Sequence, residues 1–246
     1  MTNPTFFETV KPEGRLVMET STTRSTTTAT GHAPQRSVHP AASTRVLLTA
    51  GVVAGPLFVV VALVQVATRQ GFDLSRHPIS LLALGDAGWV QITNFILAGL
   101  LMLAFAVGIA RSLRDGPGHR WAPVLFGIYG VGLVIGGVFT ADPALGFPAG
   151  APAGVPTSLT FHAIVHAVAP PIVFLALIAA TFVVARRLGW QGRRAAAVWS
   201  RAIGVGCLLL SVPGPGMSVR LLLAVAVAFA WISAFGISLL RRGAAG

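Results

Sequence analysis

Six apolar runs, separated by short polar or Gly- and Pro-rich stretches, make up most of the chain after residue 44. A helix of about 20 apolar residues crosses the ~30 Å hydrocarbon layer of a membrane. The pattern therefore predicts an all-α polytopic membrane protein, a bundle of six transmembrane helices. The predicted helices cover residues 46–67, 89–110, 122–141, 161–185, 196–212 and 221–240. The fifth has the shortest apolar core and includes Arg201 one turn inside its start.

Residues 1–44 have no apolar period and are rich in Thr, Ser and Pro. Such a segment cannot bury enough apolar surface to offset its loss of entropy on folding. We predict a disordered tail over residues 1–44 and a transmembrane domain over residues 45–242. Met18 is an alternative translation start. No cleavable signal is visible, so we expect the first helix to direct membrane insertion.

The composition agrees with a membrane protein, because 54% of residues are hydrophobic and only 10% are charged. About a quarter of residues are charged in soluble domains. The lone Cys207 excludes a disulfide framework and a Cys-based zinc site within the chain.

The net charge of +11 comes from arginines that fall in alternate loops. If successive helices cross in opposite directions, one side carries eleven basic residues and a single acid, Asp115. Basic loops are retained in the cytoplasm. We therefore predict that both termini are cytoplasmic and that the protein lies in the cytoplasmic (inner) membrane. Since topology explains the basic excess, we expect no nucleic-acid partner.

The other, outer side collects almost every residue capable of chemistry. The predicted outer loops and their borders contain Arg69, Asp73, Ser75, Arg76, His77, Ser80, Asp86, Asp142, His162, His166, Ser218 and Arg220. Such a polar cluster would suit a small molecule, a lipid headgroup or a partner protein.

His162 and His166 lie one helical turn apart and so project from one helix face. Two imidazoles at this spacing can share a divalent metal, and His77 with Asp86 or Asp142 would complete an N/O site. These five residues are the metal candidates. Alternatively, the histidines satisfy polar groups of the loop backbone. The segment HAIVH lacks the glutamate of HExxH metalloproteases.

The two aspartates also have structural explanations. Asp86 is predicted to cap the second helix, which would begin near Ala87. Asp142 is predicted to end the third helix, where a carboxylate opposes the helix dipole. We therefore expect a structural ion pair between Asp142 and Arg76 or Arg220.

A Ser-His-Asp catalytic set would use His77, Ser80 and Asp142 as its candidates. The chain has no GxSxG elbow to hold a nucleophilic serine. It also has no Walker A sequence, dinucleotide fingerprint or haem attachment motif. The sequence leaves open whether the protein is an enzyme.

Glycine pairs four residues apart, Gly51 with Gly55 and Gly132 with Gly136, allow close approach of membrane helices. We expect them to pack helices within the chain, with a homodimer face as the alternative.

Three segments resemble a known family: RHPISLLALGDAGWVQITNFILAGLLMLAFAVGIAR, YGVGLVIGGVFTADPALGFPAGAP and FHAIVH. They are similar to the bacterial six-helix membrane proteins grouped as domain of unknown function 998. The resemblance covers roughly residues 45–240 and implies an integral membrane protein with six helices. It implies no activity, cofactor or substrate, so no catalytic residue is carried over.

Three functional hypotheses follow. The first is a non-enzymatic membrane protein, surrounded by lipid, that binds a small molecule, a lipid headgroup or a partner at its outer face. The second is a metal-assisted hydrolase or lipid-modifying enzyme, in which a metal activates water near His77, Asp142, His162 and His166. The third is a small-molecule transporter, which is disfavoured because the helices carry almost no ionisable residue near the midplane.

Overall fold

A computed structural model describes residues 42–242, which form six α-helices and one short 3₁₀ segment (Ile79–Ala83). The α-helices are α1 (Ala42–Thr68), α2 (Gly88–Ser112), α3 (Trp121–Val138), α4 (Phe161–Trp190), α5 (Arg194–Leu210) and α6 (Met217–Arg242). Within residues 42–242 there is no β-strand, which confirms the all-α prediction. The predicted tail and Met18 lie outside the described residues, except that residues 42–44 already belong to α1.

Five helices, α1, α2, α3, α4 and α6, are long and apolar enough to cross a membrane. The chain is therefore a multi-pass membrane protein. The helix α5 has 17 residues, which span roughly 25 Å at 1.5 Å per residue. The helix α3 ends at Val138, three residues earlier than predicted, because the backbone turns extended at Phe139 and Pro143 follows shortly after.

Each helix packs against its successor in the chain, and α6 packs against α1. The six helices thus follow one another around a closed circuit. Aromatic side chains fill the part of its centre near the C-terminal ends of α2 and α6. They are Phe105, Phe126, Trp231 and Phe235, whose rings stack or meet edge to face.

The helices α2 and α3 touch through their backbones. A Cβ added at Gly99 would lie 2.7 Å from the carbonyl oxygen of Gly130 and 2.9 Å from the backbone nitrogen of Val134. Other glycines receive side chains of neighbouring helices: Gly51 faces Phe105, Gly55 faces Phe229 and Gly132 faces Val173. These glycines therefore pack helices within the chain, as expected, while the homodimer face stays a prediction.

We predict that Gly99→Ala separates α2 from α3, because two of the three atoms nearest to the new methyl group belong to backbone that cannot rotate away. The expected cost is about 1–3 kcal/mol, as for other overpacked interiors, measured as a lower melting temperature in detergent. The matched control is Gly127→Ala on α3, where a Cβ meets no atom within 4 Å. Equal melting temperatures of the two variants would contradict the close approach.

Candidate functional site

Two loops fold together over one end of the helix circuit, and we call them the loop cap (residues 69–87 and 139–160). In the second loop, the backbone N–H of Leu145 donates to the Gly154 carbonyl at 3.0 Å, and that of Gly146 to the Pro152 carbonyl at 2.8 Å. Leu145 has a φ of 57°, in the left-handed region that leucine rarely adopts. This conformation presents the Leu145 carbonyl to the first loop.

His77 joins the two loops through both of its ring nitrogens. The backbone N–H of Asp73 donates to Nδ1 at 2.9 Å, so Nδ1 is unprotonated. Nε2 therefore carries the proton and donates to the Leu145 carbonyl at 3.0 Å. With both nitrogens used and only 2% of the residue exposed, His77 has no lone pair left for a metal or a substrate.

Aromatic packing reinforces this junction. The ring of Phe147, which is buried, lies 5.3 Å from that of Phe72 and 5.5 Å from that of His77 between centroids. The guanidinium of Arg69 lies 5.5 Å from the Phe147 ring and donates to the carbonyls of Leu82 and Leu84 at 3.2 and 2.5 Å. The 3₁₀ segment is thereby held in place within the cap.

Asp142 binds the start of α4, which corrects the expected ion pair. Its carboxylate accepts from the backbone N–H of Thr160 at 2.9 Å and from the Thr160 hydroxyl at 2.7 Å. These two hydrogen bonds, the backbone one first, hold the pKa of Asp142 below its usual value. Arg76 donates instead to the Leu145 carbonyl, and Arg220 packs against Gly214. The helix N-terminus supplies the positive pole that an arginine was expected to supply.

His166 ties α4 to the end of α3. Its Nδ1 lies 2.7 Å from the carbonyl oxygen of Phe139, and because a carbonyl only accepts, Nδ1 must carry the proton. In the neutral ring Nε2 is then an acceptor, and it has no hydrogen bond to any described residue. The residue is 8% exposed and lines a cavity.

This cavity lies inside the helix circuit, beneath the loop cap, and has a volume of about 130 Å³. Its wall is almost entirely apolar, with Phe58, Phe95, Leu133, Val173 and Leu221 among its lining residues. Its polar lining residues are Ser80, Tyr129, His166 and Ser218. An apolar space with a few polar groups is typical of a small-molecule site.

The predicted metal candidates do not meet. Among residues 42–242 no three His, Cys, Asp or Glu side chains are arranged to hold a metal ion. His77 and His166 bind backbone, and Asp142 binds Thr160. His162 is exposed with its ring 5.1 Å from that of Phe139. This corrects the expectation of a shared site: His77, His166 and Asp142 are bonded within the protein, and His162 and Asp86 are exposed.

Two further expectations are corrected. Asp86 is exposed and does not cap α2; Ala87 holds the cap position without a side-chain hydrogen bond. A backbone turn starts the helix instead, since the Gly88 N–H donates to the Gly85 carbonyl at 2.9 Å. The catalytic set of His77, Ser80 and Asp142 is not assembled: Ser80 lines the cavity, while His77 and Asp142 are bonded elsewhere.

Sequence reasoning missed Tyr129, Thr160 and a buried amide cluster (Gln65, Gln91 and Asn94). Tyr129 is the chain's only tyrosine and Thr160 directly precedes a helix, so rarity and the capping pattern were available signals. In the cluster, Gln65 Nε2 donates to Gln91 Oε1 at 2.7 Å, and Asn94 Nδ2 donates to the Phe58 carbonyl at 3.1 Å. Amides within predicted spans are costly and therefore informative.

We predict that Thr160→Val lowers stability, because it removes the α4 cap, in which Thr160 Oγ1 accepts from the Ala163 N–H at 3.2 Å, and one donor to Asp142. Loss of such a cap costs about 1 kcal/mol, and Thr160→Ser should restore it. The stabilisation contributed by the charged Asp142 is complete above the ordinary carboxyl pKa of about 4. It disappears as the pH falls through the lowered pKa of Asp142.

The difference in melting temperature between wild type and Thr160→Val should therefore become smaller from neutral to acidic pH and level off at the part due to the cap. Ser158→Ala, an exposed neighbour, serves as the control and should match wild type throughout. A constant difference at all pH values would contradict the role given to Asp142.

The comparison with known proteins gives one match. A family model described as "Protein of unknown function (DUF998)" matches residues 52–238, which include α2 to α5, most of α1 and α6, and the entire loop cap. No curated protein and no solved structure matches. The chain therefore belongs to the DUF998 family.

Proposed function

We propose that the protein lies in the cytoplasmic membrane as six transmembrane helices with both termini in the cytoplasm. The arginine-rich turns gather at the end opposite the loop cap, which we call the arginine end. There the guanidinium of Arg187 on α4 donates to the carbonyls of Asp115 and Pro117 at 2.7 and 3.2 Å. Basic residues favour the cytoplasmic side, so this arrangement supports an outward-facing loop cap.

The proposed function is to bind a small apolar molecule, or the end of an apolar chain, that carries one hydrogen-bond donor. The observation that carries this proposal is the apolar cavity beneath the loop cap, which His166 lines while its Nδ1 is bound to the Phe139 carbonyl and its Nε2 has no hydrogen bond to a described residue. A hydroxyl or amine of the ligand would donate to Nε2. The protein thus binds its ligand within the membrane rather than at the polar surface of the loops.

The size of the cavity limits the ligand. At about 130 Å³ it is close to an engineered protein cavity of about 150 Å³ that admits benzene. A group of about six heavy atoms therefore fits. Burying its apolar surface contributes about 25 cal/mol per Å², and the single polar contact fixes its orientation.

The enzyme and transporter hypotheses have no comparable support. His77 cannot act as the base for the serine candidate Ser80, because both of its ring nitrogens are bonded to loop backbone. No observation on residues 42–242 favours transport over binding. Binding alone is therefore the function best supported.

The test uses a photoactivatable alcohol of about six carbons and the matching alkane without the hydroxyl, both added to the protein in nanodiscs. We expect the alcohol to label cavity-lining peptides more strongly than the alkane does. His166→Asn keeps an N–H for the Phe139 carbonyl but removes Nε2. It should abolish the preference for the alcohol, about tenfold for a hydrogen bond worth roughly 1.4 kcal/mol, without reducing alkane labelling.

A variant that fills the cavity provides a second test of the same labelling. Gly136 lines the cavity, and a Cβ there meets only the Phe95 ring, at 3.8 Å, so Gly136→Leu should fold normally and abolish labelling by both probes. Gly127→Leu on the same helix points into open space and is the control. Labelling that survives Gly136→Leu, or an alcohol preference that survives His166→Asn, would refute the proposal.

A further inference from the structure

At the arginine end a hollow of about 350 Å³ opens between the α4–α5 turn and the last turns of α6. Three of its lining residues are arginines, Arg193, Arg241 and Arg242, and the others include Ile237 and Ser238. The hollow is separate from the cavity beneath the loop cap and shares no residue with it.

The positive charge of this hollow is not neutralised by the described residues. Arg187 and Arg193 both repel Arg242, and no carboxylate of residues 42–242 forms an ion pair with any of the three arginines that line it. Asp115, the acid in the turn between α2 and α3, interacts electrostatically with Arg187 instead. Like charges held together in a partly desolvated hollow favour an anion as their partner.

An apolar groove of about 250 Å³ continues from the hollow between α4, α5 and α6. It is lined by Leu188, Trp199, Trp231 and Phe235, and it shares Arg193, Ala234 and Ser238 with the hollow. Trp199, which lines the groove, is largely exposed, as is Trp190 at the end of α4. Exposed tryptophans mark the depth at which hydrocarbon meets headgroups, so the groove lies on the hydrocarbon side and the hollow on the headgroup side.

We propose that the hollow and the groove together bind one anionic phospholipid. Its phosphate contacts Arg193, Arg241 and Arg242, and one acyl chain lies along the groove past Trp199. A basic pocket between membrane helices next to an apolar groove matches both parts of such a lipid. A zwitterionic lipid adds a cation that these arginines repel, so the site discriminates by headgroup charge.

The test measures lipid retention by native mass spectrometry and melting temperature in detergent. The added ligands are an anionic phosphatidylglycerol, a phosphatidylcholine with the same chains, and inorganic phosphate. Wild type should retain the anionic lipid and be stabilised by it alone. Each arginine at a membrane surface contributes about fivefold in affinity, so Arg193→Gln with Arg242→Gln should weaken binding about 30-fold.

The matched control replaces Arg111 and Arg114 with Gln, because both are exposed, lie at the end of α2 and change the net charge equally. It should bind as wild type does. The pair Arg193→Lys and Arg242→Lys should retain most of the affinity, which separates charge from misfolding. Ala234→Trp, placed where groove and hollow meet, should weaken lipid binding and leave all arginines intact.

Three outcomes would overturn the proposal. The first is equal stabilisation by phosphatidylcholine, which would remove the charge selectivity. The second is an equal loss in the control at Arg111 and Arg114, which would indicate a general surface effect. The third is binding that does not depend on the groove, seen as full competition by inorganic phosphate or as unchanged lipid retention in Ala234→Trp.

Discussion

The lack of water in the membrane interior is the constraint on which the rest of this structure depends. A backbone carbonyl or N–H that meets lipid must find a partner within the protein. Where the helices meet the loop cap, buried side chains provide partners for the backbone in the same way: His77 joins Asp73 to Leu145, and His166 binds the carbonyl of Phe139 directly after α3. The histidines that could act in catalysis or metal binding therefore form hydrogen bonds that fix the backbone. A ligand can only use what this hydrogen bonding leaves over, which in His166 is Nε2.

The same constraint explains how α1 is held to α2. Here the buried amides of Gln65, Gln91 and Asn94 bond to one another and to the Phe58 carbonyl. Phe58 and Phe95, which belong to the same two helices, form the adjoining cavity wall and pack edge to face at 5.2 Å. The amide hydrogen bonds that join α1 to α2 thus also help to position Phe58 and Phe95 in the cavity wall.

The sequence predicted the helices well because the length of each apolar run can be compared with the number of residues that a helix needs to cross the membrane. Its errors lie where backbone geometry decides. The expected partner of Asp142 was an arginine, chosen by charge, whereas the actual partner is the N–H and hydroxyl of Thr160, fixed by where α4 begins. Likewise, the acceptor for His77 is the carbonyl of Leu145, which every residue possesses and no residue type reveals. Only the folded loop selects it.

The arginines at the two ends of the molecule have different surroundings. At the loop cap, Arg69 donates to two carbonyls of the loops and Arg76 to one. At the arginine end, Arg193, Arg241 and Arg242 face a common hollow instead. Because guanidinium groups stay charged at all physiological pH values, this difference does not depend on protonation. This difference underlies the two proposals, a neutral apolar ligand beneath the loop cap and an anionic lipid at the arginine end.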